Sequence, residues 1–152
     1  MKLAVVIGKN GRDFAASKAM DYVGGYALAI DMTARNLQIP FEWGLIVSES
    51  DFIAKESIPD TSNVDLWLKV NGAFRQQGNT KDMIFSIPSL LEYVGSIMKL
   101  EIGDVILTGT PQGVGPIHAG DVITAGLKPG HATSDLVQVK YSVSDRNGLF
   151  KC

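Results

Sequence analysis

The dipeptide Asn71-Gly72 constrains this chain more than any other pair of residues. Both residue types accept the positive φ angles of a type I′ turn, and the flanks Leu66-Trp67-Leu68-Lys69-Val70 and Ala73-Phe74-Arg75-Gln76 read as strands. Residues 66–76 are therefore expected to form an antiparallel hairpin. Further β-like runs agree with it. Leu3–Ile7 is Val-rich and stops at Gly8. From Tyr26 a second strand would set Tyr26, Leu28, Ile30 and Met32 on one face and Ala27, Ala29, Asp31 and Thr33 on the other. Two alanines beside an acid leave room for a ligand on that second face. Val105–Leu107, Val122–Ala125 and Leu136–Val143 follow, and in the last of these Val137, Val139, Tyr141 and Val143 alternate with Gln138, Lys140 and Ser142.

Helical signals are fewer. Ala15–Tyr22 reads as a short helix stopped by Gly24-Gly25. Ser86 is a plausible N-cap with Pro88 in the first turn. Leu90, Leu91, Val94, Ile97 and Met98 then form an apolar stripe, predicting a helix over 88–99 that packs on a sheet and ends near Leu100. Residues 39–63, with Pro40, Pro59 and no clean period, read as connecting loop. Seven or so short strands with two or three helices, out of β-α-β order, indicate a mixed β (α+β) fold. The length of 152 residues and 45% hydrophobic content suit a single domain spanning 1–152.

Charge narrows the function classes. The 14 basic and 16 acidic residues are mixed along the chain, so no basic field awaits a nucleic acid. No apolar run approaches the roughly 20 residues needed to span a bilayer. The opening run is too short for a secretory h-region, so no targeting segment and no membrane partner are expected. Cys152 is the only cysteine, which excludes an intrachain disulfide.

Two segments carry candidate chemistry. Thr108-Gly109-Thr110-Pro111-Gln112-Gly113-Val114-Gly115 could converge backbone N–H groups and two hydroxyls on an anion. It lacks the Gly-Lys-Ser/Thr ending of a nucleotide loop, and Pro116 argues against a following helix, so a small carboxylate suits it better than phosphate. An ordinary Gly-rich turn fits the pattern equally well. Asp31, Arg35 and Gln38 would share a face if the chain turned helical after Asp31, and could then hold a metal and an oxygen-rich ligand. The alternative is a strand-end Asp31 paired with Arg35. His118 and His131 have no second histidine or cysteine at ligand spacing and read as surface loop residues. Glu42, Glu49 and Asp51 fall in the irregular stretch, where charge is ordinarily solvated.

Six blocks in order resemble the fumarylacetoacetate hydrolase family, in its small acylpyruvase and oxaloacetate decarboxylase branch. They are strand Leu3–Gly8, Met20-Asp21-Tyr22-Val23-Gly24-Gly25-Tyr26, Asp31-Met32-Thr33-Ala34-Arg35, Trp67-Leu68-Lys69-Val70-Asn71-Gly72, Met83-Ile84-Phe85-Ser86-Ile87-Pro88, and Leu107-Thr108-Gly109-Thr110-Pro111 with Gly113-Val114-Gly115. The resemblance spans nearly the whole chain apart from roughly 39–51. It implies a mixed β-sandwich roll, usually a homodimer, that cleaves a C–C bond of acylpyruvates or decarboxylates oxaloacetate in the cytoplasm or mitochondrion. It also implies Mg²⁺ or Mn²⁺ held by three carboxylates, the ion chelating two oxygens of a small 2-oxo acid or β-diketone substrate. By motif match Asp31 is the third metal ligand, while Arg35, Gln38 and Thr110 contact substrate, the Thr110 hydroxyl receiving its carboxylate.

The departures from that pattern are specific. The family's other two ligands are glutamates two residues apart, and here Lys2 stands at the second position while the first falls before Met1. The upstream His/Glu pair that activates water and the lysine between the Gln38 and Phe52 positions have no counterpart, so no catalytic residue is assigned. One carboxylate beside an ammonium predicts weak Mg²⁺ binding. The same departures leave a second expectation open: a shortened, inactive homologue that binds a small 2-oxo acid or pairs with a full-length relative.

Overall fold

A computed structural model describes residues 1–33 and 45–145, with the backbone alone for 45–49. Among the described residues, nine strands are arranged in two sheets whose pairings are all antiparallel. The first contains β1 (Lys2–Ile7), β2 (Val23–Met32), β3 (Leu45–Glu49), β4 (Ile53–Ala54) and β7 (Val105–Leu107), ordered β3-β2-β1-β7 with β4 also on β2. The second contains β5 (Val64–Val70), β6 (Ala73–Asn79), β8 (Val122–Pro129) and β9 (Val137–Ser142), ordered β6-β5-β8-β9. Two short helices among the described residues complete a mixed α+β fold, as the periodicities indicate.

Asn71 at φ 52° and Gly72 at φ 80° form the tip of the β5–β6 hairpin. The Asn71 amide also reaches the neighbouring β8 end, donating to Asp121 at 2.7 Å and accepting from the Val122 N–H at 2.9 Å. A bulge between Leu68 and Lys69 shifts the register, so that Lys69 faces Phe74 and Leu68 faces Gln76. That shift decides which β6 side chain turns inward. Gln76 is the strand's single buried residue.

The core joins both sheets. Leu3, Val5 and Ile7 of β1 and Tyr26, Leu28 and Ile30 of β2 share one cluster with Leu66 and Leu68 of β5 and Ile123 and Leu127 of β8. Each such side chain removed from water contributes about 1.5–3 kcal/mol. The opposite face of the first sheet is also buried, by a small cluster of Ala4, Ala27 and Ala29 against Leu107. The two faces read from the alternation of β2 are therefore both present. On β9, Val137, Val139 and Tyr141 are half-buried while Gln138, Lys140 and Ser142 are exposed.

Three expectations need correction. β2 begins at Val23, so Gly24 and Gly25 lie inside a strand. A Cβ on Gly24 would come within 2.9 Å of the Gly8 Cα, and one on Gly25 within 2.4 Å of the Ile53 carbonyl, so close backbone approach accounts for both glycines. Residues 39–63 are not simply loop: β3, β4 and a 3₁₀ turn at Lys55–Ser57 lie there. β3 and β4 follow the two halves of the long β2 edge, and so short a pairing is dictated by β2 more than by their own pattern.

The helical readings hold in part. α1 (Ala16–Ala19) runs into a 3₁₀ turn at Met20–Tyr22. α2 (Ile87–Ile97) starts at Ser86, whose Oγ accepts the Ser89 N–H at 3.3 Å. It buries Ile87, Leu91 and Gly95, but Ile97 and Met98 are each 54% exposed, because the backbone turns extended at Met98. Its principal neighbour is α1 rather than a sheet. Phe14 fills the space over Gly95 and stacks on Tyr22 with ring centroids 4.1 Å apart. No described helix is long and apolar enough to cross a membrane.

Candidate functional site

The first two residues of the chain gather the motif residues that are distant in sequence. β1 pairs with β2 so that Lys2 faces Ala29 and Ala4 faces Ala27. Lys2, Ala4, Ala27 and Ala29 thus share a face, and Asp31 follows Ala29 by one full strand period on it. With only methyl groups between, the Lys2 side chain reaches along that face and its Nζ lies 2.8 Å from Asp31 Oδ2. The other carboxylate oxygen accepts the Thr33 hydroxyl at 3.3 Å. Both members of the ion pair are about one-fifth exposed, at 21% and 23%.

On the other side of β1 the chain leaves β7 and continues alongside it. The Thr108 N–H and hydroxyl both donate to the Leu3 carbonyl, at 3.2 and 2.8 Å, and two residues on the Thr110 hydroxyl donates to the Met1 carbonyl at 2.9 Å. Alternate threonines thereby satisfy the alternate carbonyls of Leu3 and Met1 at the head of β1 after the ladder ends. Gln76 closes the junction from the second sheet. Its Nε2 donates to Thr110 Oγ1 at 3.0 Å and to the Pro111 carbonyl at 2.7 Å, and its Oε1 accepts from the Met1 nitrogen at 2.7 Å. Burial, then the neighbouring Lys2 charge, pushes the Met1 amino group down to about 6. The single hydroxyl proton of Thr110 is therefore engaged within the protein.

Packing explains much of the Gly-rich loop. Gly113 has φ 98°, and a Cβ there would lie 1.8 Å from the Arg75 carbonyl oxygen of β6. Across the same contact, a Cβ on Gly78 would lie 2.7 Å from the Pro111 Cβ. A cavity of about 560 Å³ opens beside this junction, with Thr108, Thr110, Pro111, Gly78, Met83 and Phe85 in its wall. Lys2 and Asp31 do not line it. Thr110 and Asp31 meet instead through the consecutive residues Met1 and Lys2.

Arg35 and Gln38, the other two expected substrate contacts, lie outside the described residues, as do Glu42 and Cys152. The backbone of Glu49 is in register with Ala29. Asp51, His118 and His131 are exposed. Gln76 is the site residue that sequence reasoning missed. Its only signal is a polar residue in a hairpin strand, and the bulge that turns it inward is invisible without the register. The divalent ion implied by the resemblance does not fit the residues present. Among the described residues no group of three His, Cys, Asp or Glu side chains could hold a metal, and Asp31 already faces an ammonium.

Two antiparallel sheets sharing a core, with a Thr-Gly-Thr-Pro loop stitched to the head of the first strand, make the β-roll fold that the ordered motifs suggest. The family model described as Fumarylacetoacetate (FAA) hydrolase C-terminal matches residues 1–140, and the chain belongs to that family. It is 52% identical over 138 residues to the mitochondrial oxaloacetate tautomerase FAHD1 of Bos taurus, covering 84% of this chain and 62% of that protein. It is 48% identical over 138 residues to the mitochondrial oxaloacetate decarboxylase of Dictyostelium discoideum, covering 84% and 63%. The chain thus spans less than two thirds of the length of these relatives. Among solved structures, the yeast fumarylacetoacetate hydrolase family protein ynq8 superposes with a TM-score of 0.89 at 26% identity, over 99% of this chain and 70% of that one.

Proposed function

We propose that this chain is part of an enzyme acting on small 2-oxo acids, with oxaloacetate as the first candidate, by keto–enol interconversion or by loss of its β-carboxylate. Metal-dependent C–C cleavage of acylpyruvates is the related activity that the family resemblance adds. The reading is supported by relatives named for oxaloacetate chemistry at about half identity. The observation that carries it to particular residues is the junction at Met1 and Lys2, which brings the Thr110 loop and Asp31 to one strand end. In this reading Thr110, Arg35 and Gln38 contact the oxo acid. Displacing the Met1 carbonyl from Thr110 would free its hydroxyl for a carboxylate.

Binding without turnover is the second reading, and the Lys2–Asp31 pair favours it because the carboxylate that would serve the chemistry is already neutralised. A homodimer in the mitochondrion or cytoplasm completes the proposal, the first compartment being that of the named relatives. Calorimetric titration with oxalate, followed by oxaloacetate enol decay and pyruvate release, tests it. Saturable oxalate binding is expected. A folded chain that binds neither oxalate nor oxaloacetate refutes the oxo-acid reading, and turnover of oxaloacetate would overturn the binding-only alternative.

A further inference from the structure

We propose that Lys2 is a tethered substitute for a divalent cation: its ammonium satisfies Asp31 and keeps Mg²⁺ and Mn²⁺ from binding there. The inference rests on the family reading that a metal belongs beside Asp31, and it concerns what this chain does with that place. Three observations carry it. Nζ sits 2.8 Å from Oδ2, against the oxygen a metal would need, and the second carboxylate oxygen is taken by the Thr33 hydroxyl. The strand register fixes this geometry, because Lys2 is held opposite Ala29 and Asp31 lies one period beyond. Among the described side chains, the rest of the face consists of Ala4, Ala27 and Ala29 packed against Leu107, apolar groups that offer no oxygen to a metal demanding a nearly complete oxygen shell.

Electrostatics sets the size of the effect. A unit charge about 4 Å from a divalent ion lowers its affinity roughly thirtyfold even at the dielectric constant of water. Reversing that charge acts twice over, and partial burial at one-fifth exposure weakens the screening further. Lys2→Glu is therefore expected to tighten Mn²⁺ binding at Asp31 by at least about a hundredfold, with Lys2→Met between it and the unaltered chain.

The test is a Mn²⁺ titration of the full chain, read by the paramagnetic resonance signal of free Mn²⁺ and by calorimetry. It uses the unaltered chain, Lys2→Met, Lys2→Glu, and Lys2→Glu combined with Asp31→Asn. Support is a stoichiometric Mn²⁺ site that appears in Lys2→Glu, is lost again with Asp31→Asn, and is lacking in the unaltered chain. Mn²⁺ bound by the unaltered chain as tightly as by Lys2→Glu would overturn the proposal, and so would a Lys2→Glu variant that folds and gains no site. If near-ultraviolet circular dichroism shows Lys2→Glu unfolded, Lys2→Met decides: tighter Mn²⁺ binding than the unaltered chain supports the proposal, and unchanged binding overturns it. Oxalate titrations in EDTA on the same samples keep the two readings apart. Absent oxalate binding with Mn²⁺ still excluded by Lys2 sinks the oxo-acid reading alone.

Discussion

Replacing Gln76 by leucine should be among the most damaging single polar substitutions in the described structure. The side chain is only 4% exposed and makes three hydrogen bonds, to Thr110, Pro111 and Met1. Leucine preserves much of the volume and removes all three. Each lost bond is worth about 1 kcal/mol net, and the Met1 nitrogen and Pro111 carbonyl would be left with an unmet desolvation cost of the same order. A loss of about 3–5 kcal/mol follows, equivalent to a Tm decrease of roughly 6–20 °C for a domain of this size. The neighbouring Gln77 is exposed and makes a matched control, with Gln77→Leu expected within about 0.5 kcal/mol of the unaltered chain. Urea denaturation at neutral pH measures both. A Gln76→Leu variant indistinguishable from Gln77→Leu would mean that the junction contributes nothing to stability and that the head of β1 is held by the core alone.

Gly113→Ala should cost more than about 3 kcal/mol or prevent folding, because it combines a φ of 98° with a Cβ 1.8 Å from the Arg75 carbonyl oxygen; soluble yield and melting temperature check it. Tyr26 is fully buried with no partner for its hydroxyl among the described residues, so Tyr26→Phe should be neutral or stabilising by up to about 1 kcal/mol in urea melts. Burial, then the nearby Glu56 charge, pushes the Tyr26 phenol from 10.0 up to about 12. Between those values the unfolded chain loses a proton that the folded one keeps, so stability falls as pH rises through the window, and Tyr26→Phe should remove that loss. Asp65 is held below its usual range by the Asn79 amide first and by Lys128, so its contribution is present above pH 3.8 and disappears as pH falls through the lower folded value. Acid titrations followed by circular dichroism should accordingly show a flatter low-pH limb in Asp65→Asn.

The elements that could be read directly are those whose stability is local. Asn71-Gly72 specifies its own turn, Ser86 its own helix start, and the alternation in β9 its own exposed face. β3 and β4 belong to another class. They are five and two residues long, and what makes them strands is the unpaired edge of a ten-residue β2. The end of α2 is a similar case. Ile97 and Met98 continue the helical period on paper, yet the chain leaves the helix at Met98 and both side chains remain largely in solvent. An apolar stripe reports where a helix can bury surface, and the tertiary neighbour, here Phe14 against Gly95, decides where it does.

The candidate site divides along the same line, and this bears on how its charges should be understood. Asp31 and the Thr108–Gly115 loop stand out individually because their residue types suggest ligand chemistry. What links them is the pair Met1 and Lys2, of which only Lys2 is marked by the family pattern, acting through strand register: Lys2 reaches Asp31 because β1 and β2 run antiparallel with alanines between, and Met1 reaches Thr110 because the loop continues along the far edge of β1. The ammonium at the strand head is consequently part of the fold's own framework, tied by an ion pair to one flank while the adjacent peptide is tied by hydrogen bonds to the other. A change at Lys2 should therefore alter the electrostatics at Asp31 without removing a hydrogen-bonding group from the Thr110–Gln76 junction, which is made of the Met1 backbone, the Thr110 and Gln76 side chains and the Pro111 carbonyl.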